Sequence, residues 1–358
     1  MTNTCKAISV ALLIAFSNYS IAQQIDAGTS GSGQSLGTTY NTITTAVPFL
    51  SIAPDSRGGG MGDIGAGTST DVWSQHWNAS KYALAENDFA VGLTYTPWLA
   101  HITNDIHLLY AAGYKKLGRE GAFGAALRYF SVGEILEYDE NGIATGNIIS
   151  PREFAIDFSY SRKLADKFVM GLTGRFISSN LHGEINPDLK PGRAIAADIS
   201  GTYFEDKLRL GTMPAAFRAG FNISNIGSKI AYTASQKDFI PTNLRLGAGL
   251  KLAVDKHNDV GFYLDLNKLL VPTPPQRILD ENGNFTGQFN GKDPDVSPIT
   301  GIFQSFYDAP GGFQEEMKEV MISGGVEYWY NKQFALRGGY FHEAKTKGNR
   351  KYFTLGLG

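Results

Sequence analysis

Strict alternation of large apolar side chains with small or polar ones is the feature that most constrains this chain. Phe89, Val91, Leu93 and Tyr95 are large and apolar, whereas the residues between them are small or polar. Successive side chains of a β-strand point to opposite faces of a sheet, so a period of two predicts a strand. Because the pattern recurs about twelve times along the chain, we predict an all-β fold.

The other predicted strands are short and are separated by connections of two kinds. They lie at 106–110, 123–131, 154–160, 168–178, 195–201, 217–223, 244–254, 260–266, 320–330, 334–341 and 352–358. Each has about the length that crosses an outer membrane at a tilt. Mostly short connections, with 205–214 among them, alternate with mostly longer ones, of which 269–319 is the longest. This alternation is typical of an antiparallel meander whose turns are short on one side and long on the other.

The two faces of the predicted strands differ in chemistry. One face carries large apolar residues, and the other carries Gly, Ala, Ser and Thr together with charges in the middle of strands. The charged residues expected to line a lumen are Arg128, Asp157, Arg175, Asp198, Arg218, Arg245, Glu327 and Arg337. A soluble sheet, which is the alternative, would carry Lys and Glu on its wet face rather than Gly and Ala. We therefore predict a transmembrane antiparallel β-barrel with lipid outside and a narrow polar lumen.

The ends of the chain give two further expectations. Lys6, the apolar run 11–16 and the small residues Ser20 and Ala22 predict a cleaved signal peptide over 1–22 and hence export. Residues 23–86 are expected to form an N-terminal extension and plug, and 87–358 the barrel. The last strand stops without a terminal aromatic, so we expect about two further strands and about fourteen in the full protein. The balance of 32 basic and 34 acidic residues does not favour nucleic-acid binding.

The glycine-rich segment near residue 60 fits the dinucleotide-binding spacing G-x-G-x-x-G at Gly60, Gly62 and Gly65. That fingerprint requires a preceding strand, a following helix and a βαβ pattern, and the sequence shows none of these. Close backbone packing and turns with positive φ explain the glycines better.

No other motif predicts catalysis, a cofactor or a metal site. The six histidines lack the spacing of a helical metal pair, and a G-x-S-x-G nucleophile motif is absent. The pattern D-E-N-G-x-x-T-G occurs twice, at 139–146 and at 280–287. Calcium ligation is conceivable there, but Asn-Gly is typical of a hairpin tip, and we predict hairpins.

The segment 57–83, RGGGMGDIGAGTSTDVWSQHWNASKYA, resembles the N-terminal hatch of the FadL family of outer-membrane barrels. In that family a glycine-rich run and an Asn-Pro-Ala sequence precede the first strand, whereas this chain has Asn78-Ala79-Ser80. The resemblance implies a fourteen-stranded barrel with the hatch folded inside as a plug. The hatch residues would then be Arg57, Gly60, Gly62, Gly65 and Asn78.

Three further segments are similar to the PorV family, the outer-membrane shuttle components of the type IX secretion system. They are LNKLLVPTPP at 266–275, FQSFYDAPGGFQEEM at 303–317 and VEYWYNKQFALRGGYF at 326–341. The resemblance implies a non-enzymatic carrier in the lipid of the outer membrane. Its implied partners are the translocon barrel SprA (also called Sov), cargo proteins with a type IX C-terminal signal domain, and the attachment complex of the PorU sortase.

The connection 269–319 is the predicted partner-binding loop, with long loops facing outside the cell. It concentrates Phe303, Phe306, Tyr307 and Phe313 around Pro310. Exposed aromatics are good anchors for a partner, although the same residues could pack on one another to fold the loop, and both readings stay open. The alternative function is a FadL-type channel for fatty acids or other hydrophobic small molecules.

Overall fold

The structure, a computed structural model, describes residues 34–35, 38–100, 103–138, 141–181, 190–233, 237–280 and 284–358. The chain divides into two units, residues 1–40 and 41–358. In the first unit, β1 (Gln34–Ser35) pairs antiparallel with β2 (Thr38–Thr39). The predicted signal peptide, residues 1–22, lies outside the described residues.

The second unit is built on a large antiparallel sheet, with smaller hairpins in two of its connections. Its strands are β3 (Phe89–Pro97), β4 (His107–Leu117), β5 (Gly121–Ser131), β6 (Ile135–Tyr138), β7 (Ala144–Ile149), β8 (Arg152–Ala165), β9 (Phe168–Asn180), β10 (Gly192–Leu210), β11 (Met213–Gly227), β12 (Asn243–Ala253), β13 (Asn258–Leu269), β14 (Gln276–Leu279), β15 (Phe285–Asn290), β16 (Met321–Tyr330), β17 (Phe334–His342) and β18 (Lys351–Leu357). Twelve of them form the large sheet in the order β18-β17-β16-β13-β12-β11-β10-β9-β8-β5-β4-β3. The predicted all-β meander is thereby confirmed.

Short turns lie at one end of the large sheet, and long connections lie at the other, which we call the long-loop end. One prediction about the short turns was wrong. Residues 205–214 were expected to be a connection, but β10 continues to Leu210 and β11 begins at Met213, so only Gly211 and Thr212 form the turn. Gly211 has φ +62°, a conformation that favours glycine.

The large sheet curves around the N-terminal segment 41–86, which we call the plug. Thr94 of β3, at one edge of the sheet, donates a hydrogen bond to the carbonyl of Pro54 (2.6 Å). At the other edge, a Cβ built on Gly60 of the plug would lie 3.1 Å from the Cα of Gly356 in β18. Because both edge strands contact neighbouring parts of one short segment, the sheet must bend into a barrel wall around it.

The outer face of this wall is apolar from one edge to the other. Val91, Phe158, Ile195 and Phe353 all point outward, and Phe353 is 84% exposed. A continuous apolar surface of this kind is typical of a barrel in contact with lipid. Among the described residues, no helix is long and apolar enough to cross a membrane.

The plug is made of short helical turns joined by glycine-rich segments. It contains 3₁₀ turns at Pro48–Ser51 and Ala79–Leu84, and the helices α1 (Ser56–Gly59) and α2 (Ser74–Trp77). Near the long-loop end, Val47, Phe49 and Leu50 pack with apolar residues of the wall and its loops, including Ile177 and Ile230. Burial of these side chains fixes the start of the plug against the wall.

The long-loop end carries most of the structure outside the wall. The hairpin β6–β7 rises between β5 and β8, and the hairpin β14–β15 rises between β13 and β16. After β15 come the helices α3 (Pro298–Gln304) and α4 (Phe313–Lys318), and a 3₁₀ turn, Lys345–Lys347, lies between β17 and β18.

Candidate functional site

The plug is attached to the wall by a buried cluster of charges. The Arg57 guanidinium donates to both carboxylate oxygens of Glu327 in β16 (3.0 and 2.8 Å). Glu327 also accepts from Nε of Arg337 in β17 (2.8 Å), and Arg57 forms an ion pair with Asp71 of the plug (2.7 Å). Two-point arginine–carboxylate pairs fix geometry as well as charge, so this plug anchor holds α1 against β16 and β17.

The glycines of the sequence motif lie where the plug backbone touches the wall or turns. Gly62 has φ +81°, and a Cβ there would lie 2.9 Å from the backbone nitrogen of Tyr340. Gly60 faces β18, and Gly65 lies against the Trp77 ring. The Gly65 amide also donates to Asp265 (2.9 Å). These positions serve close approach between backbones.

Asn78, which stands in the Asn-Pro-Ala position, joins the plug to β10. Its amide donates to the carbonyl of Gly201 (3.1 Å) and to the Thr202 hydroxyl (2.9 Å). Its carbonyl oxygen accepts from the backbone N–H of Ser80 (3.2 Å), which caps the following 3₁₀ turn. The residue therefore closes the end of the plug without the proline of the FadL pattern.

A second buried cluster lies within the wall itself. Arg175 of β9 forms hydrogen bonds with Asp157 of β8 (2.6 and 2.9 Å) and with Asp198 of β10 (3.2 and 3.0 Å), and it contacts Asn225. All of these side chains are buried. The cluster joins three adjacent strands, as expected for charges that face a filled lumen.

The remaining predicted lumen charges contact the plug or a neighbouring strand. Arg128 donates to the carbonyls of Phe49 (3.0 Å) and Leu50 (2.7 Å). Arg245 lies over the Trp77 ring with its guanidinium carbon 4.4 Å from the centroid. Arg218 pairs with Asp206 at 3.4 Å near the short-turn end. Most of the lumen charges therefore hold the plug or the wall in place.

The loop 270–320 carries the aromatic residues predicted to bind a partner. Phe303 is 67% exposed and Phe313 is 78% exposed, and Phe306 and Tyr307 are also exposed. Pro310 is half-buried at the base, where its carbonyl accepts from the Asn290 amide (3.2 Å). Ile299 of α3 and Met317 of α4 add exposed apolar surface to this loop. We call Phe303, Phe306, Tyr307 and Phe313 the aromatic tip.

Beneath the aromatic tip lies a buried ionic network that was not predicted from the sequence. Lys268 at the end of β13 contacts Glu316 (3.0 Å) and Glu319 (2.6 Å). Lys347, between β17 and β18, contacts Glu315 (2.6 Å) and Glu319 (2.8 Å). We call these five residues the loop latch. It ties α4 to two separate parts of the wall, so the aromatic tip stands on a fixed base.

Thr273 connects the loop latch to Asp308. The Thr273 hydroxyl donates to Glu319 (2.8 Å), and the Thr273 amide donates to Asp308 (3.1 Å). Burial raises the pKa of Asp308, and the amide of Thr273 opposes this shift only in part. Burial also acts to raise the pKa of Glu315, but hydrogen bonds from Lys347 and the Gly311 amide outweigh it and hold that pKa below its ordinary value.

The contacts of these groups anchor the plug, the wall and the loop to one another. In the part of the chain that the structure describes, no three His, Cys, Asp or Glu side chains come together in a way that could hold a metal ion. In the sequence, the loop latch is indicated only by the helical spacing of Glu315, Glu316 and Glu319. Glutamates with this spacing usually face solvent, so the spacing alone does not predict a buried network.

An antiparallel barrel wall, apolar outside and filled by a charge-anchored plug, defines an outer-membrane β-barrel protein. Within that class, the chain belongs to the PorV family. The family model described as type IX secretion system protein PorV matches residues 36–276. The family predicted from the three sequence segments is thereby confirmed.

Comparison with other proteins adds distant similarities. No curated protein matches the chain. It is similar to the toluene transporter TodX of Pseudomonas putida, with 12% identity, 84% of this chain and 87% of TodX covered, and a TM-score of 0.44. It is also similar to a FadL homologue of Pseudomonas aeruginosa, with 9% identity, 89% and 97% covered, and a TM-score of 0.34.

Proposed function

We propose that this chain is a non-enzymatic carrier of the type IX secretion system that binds its protein partners through the long-loop end. The carrier would engage the SprA (Sov) translocon barrel and receive cargo by its C-terminal signal domain. It would then deliver cargo to the PorU attachment complex. The long-loop end would face the cell exterior.

The observation that carries this proposal is the aromatic tip on its latched base. Side chains of this size are normally buried, but these four stand exposed, with Phe303 on α3, Phe313 on α4, and Phe306 and Tyr307 between the two helices. Because the loop latch orders the base before any partner arrives, binding would cost little loop entropy. Exposed aromatics on an ordered support have the character of binding hot spots.

The proposal is tested by recovery of partners from solubilised outer membranes. Phe303→Ser with Phe313→Ser should reduce recovery of the translocon barrel and of cargo at least about tenfold, since an aromatic hot spot contributes about 2 kcal/mol or more. Phe334→Ser removes an aromatic that is 46% exposed at the opposite end of the wall and should leave recovery unchanged. Full recovery with the double variant would refute the role of the aromatic tip.

The alternative function is a channel for hydrophobic small molecules, and a cavity favours it. A space of about 1510 Å³ lies between the plug and the edge strands β3 and β18. Phe49, Ile52 and Leu355 line it together with polar groups such as Thr94 and Asp63. The space is larger than most ligand pockets, so a small apolar ligand would fit loosely.

A further inference from the structure

Two hairpins at the long-loop end, β6–β7 and β14–β15, have the same strand pairing. In β6–β7, Ile135 pairs with Ile149, Leu136 with Ile148, and Tyr138 with Ala144. In β14–β15, Gln276 pairs with Asn290, Arg277 with Phe289, and Leu279 with Phe285. Every pair of the second hairpin is displaced from the first by the same number of residues, and both have the same register shift. We call them the twin hairpins.

The local chemistry of the twin hairpins also repeats. The Thr145 hydroxyl donates to the Glu137 carbonyl (3.3 Å), and the Thr286 hydroxyl donates to the Ile278 carbonyl (2.9 Å). Gly146 and Gly287 each have φ +83°, and the repeated Thr-Gly of the sequence motif supplies both features. A side chain at either glycine would strain the strand, so the motif encodes this shape.

Each twin hairpin offers a free strand edge without the charges and prolines that usually protect such an edge. Among the described residues, both hairpins are isolated two-stranded sheets. Their second strands, β7 (ATGNII) and β15 (FTGQFN), contain no charged residue, and nearly all their residues are exposed. Exposed edges are normally blunted by Lys, Pro or added bulges, because unpaired backbone groups recruit another strand. Of these three features, the second strands of the twin hairpins have only the register shift.

The same chain shows what a protected edge looks like. Beyond its pairing with β9, β10 continues as an exposed ribbon with β11. That ribbon also has an irregular register, between Glu205 and Leu208, but unlike β7 and β15 it carries Lys207, Arg209 and Pro214. The contrast indicates that the uncharged edges at the long-loop end are kept open for a partner strand.

The positions of the twin hairpins suit a single partner that bridges the barrel mouth. The β5–β8 junction and the β13–β16 junction lie six strand spacings apart in a sheet of twelve strands. At about 4.8 Å per spacing, the separation along the wall is about 29 Å. The hairpins therefore stand on opposite sides of the mouth, and β14–β15 adjoins the aromatic tip through Asn290 and Pro310.

The two hairpins differ in charge, and this difference indicates which residues a partner strand should carry. Residues 134–151 contain Glu134, Glu137, Asp139 and Glu140 and no Lys or Arg. Glu137 accepts hydrogen bonds from Thr145 and Asn147 (2.8 Å each), which hold its pKa below the ordinary value and keep it ionised. A strand that joins β6–β7 should therefore have basic residues beside it.

We propose that the twin hairpins are paired docking edges for one partner protein, which adds an extended strand to β7 and another to β15. The partner strands would carry alternating apolar side chains, with Lys or Arg beside the strand that joins β7. Main-chain hydrogen bonds supply affinity in strand addition, and side chains supply specificity. Two linked contacts would strengthen binding far beyond either one alone. This inference rests on the proposed function only in requiring a protein partner at the long-loop end.

A defined peptide tests the proposal without any exported protein. The full chain in lipid nanodiscs is titrated by calorimetry with Lys-Thr-Val-Thr-Val-Thr-Lys. We expect two peptides to bind each chain and to slow amide exchange in 144–149 and 285–290. A peptide N-methylated at all three threonines and both valines should bind at least about tenfold more weakly, because it lacks these donors on both edges. A Glu-flanked peptide should lose affinity at β7 in particular.

Substitutions of the two edges assign the sites. Ile148→Lys and Phe289→Lys occupy equivalent, exposed positions, and each should remove one of the two bound peptides. The double variant should bind none. Ile299→Lys places the same charge on α3, outside any strand, and should bind both peptides. Heat-modifiable migration of each variant in gels verifies that its barrel is folded.

Several results would overturn the proposal. They are equal binding of the N-methylated peptide, no peptide binding at all, or full binding by the double variant. Concentration-dependent protection of the edges without peptide would assign them to a second copy of this chain instead. If peptide binding behaves as expected but the aromatic-tip variant still recovers its partners, only the proposed function of the tip fails.

Discussion

At the scale of single residues, Glu327 is the central member of the plug anchor, because it accepts from two arginines. Glu327→Ala would leave Arg57 and Arg337 buried without this partner. We expect the free energy of unfolding to fall by about 3–5 kcal/mol. Arg57→Ala should cost less, since Glu327 would keep Arg337. Denaturant titration of the protein in detergent micelles measures both changes.

A solvated ion pair provides the control for the plug anchor. Arg162 and Glu120 lie 4.0 Å apart with both side chains largely exposed. Exposed pairs contribute about 0–1 kcal/mol to stability. The free energy of unfolding of Arg162→Ala should therefore be almost the same as that of the unaltered protein. A Glu327→Ala protein as stable as Arg162→Ala would show that the buried charges do not anchor the plug.

At the scale of the loop 270–320, acid should release α4 from the wall. A carboxylate whose folded pKa is depressed stabilises the fold above its ordinary pKa and loses this effect as pH falls through the folded value. Glu315 is such a group, with an ordinary value of 4.5. We therefore expect amide exchange in 313–318, corrected for intrinsic rates, to accelerate between about pH 5 and about pH 3.

Two variants separate the contributions to this release. Glu315→Gln cannot titrate, so the acid-induced acceleration should become smaller. Asp308 has the opposite effect on stability, because burial raises its pKa and protonation at low pH therefore favours its buried state. Asp308→Asn should therefore make the acid-induced release steeper. Identical pH profiles for all three proteins would assign the release to other groups.

The same elements show how far the sequence predicts this molecule. Alternation predicted all twelve strands of the large sheet, because each contacts lipid on one face and a confined polar space on the other. The exposed part of β10 was missed, since Glu205, Asp206 and Lys207 meet water on both faces and resemble a turn. The pairing of Arg57 with Glu327 could not be predicted either, because it depends on how the wall closes around the plug.

At the scale of the whole molecule, the plug lies within the wall, and the proposed binding surfaces lie outside it. Charges and close glycine contacts fix it within the wall, whereas the aromatic tip and twin hairpins lie beyond it at the long-loop end. A carrier that binds partners there does not require the plug to move. A channel, in contrast, must let its substrate pass the plug.

A disulfide between plug and wall therefore separates the two functions. The hydroxyl oxygens of Ser80 in the plug and Thr202 in β10 lie 2.8 Å apart, so cysteines at these positions would place their sulfur atoms close together. The only native cysteine is Cys5, within the predicted signal peptide. We expect the oxidised Ser80→Cys, Thr202→Cys protein to recover its secretion partners as fully as the reduced protein does. Because reduction reverses the bond in the same sample, each protein serves as its own control. Recovery that is lost on oxidation and restored by reduction would mean that the carrier needs a mobile plug. Uptake of a labelled fatty acid that stops on oxidation would support the channel.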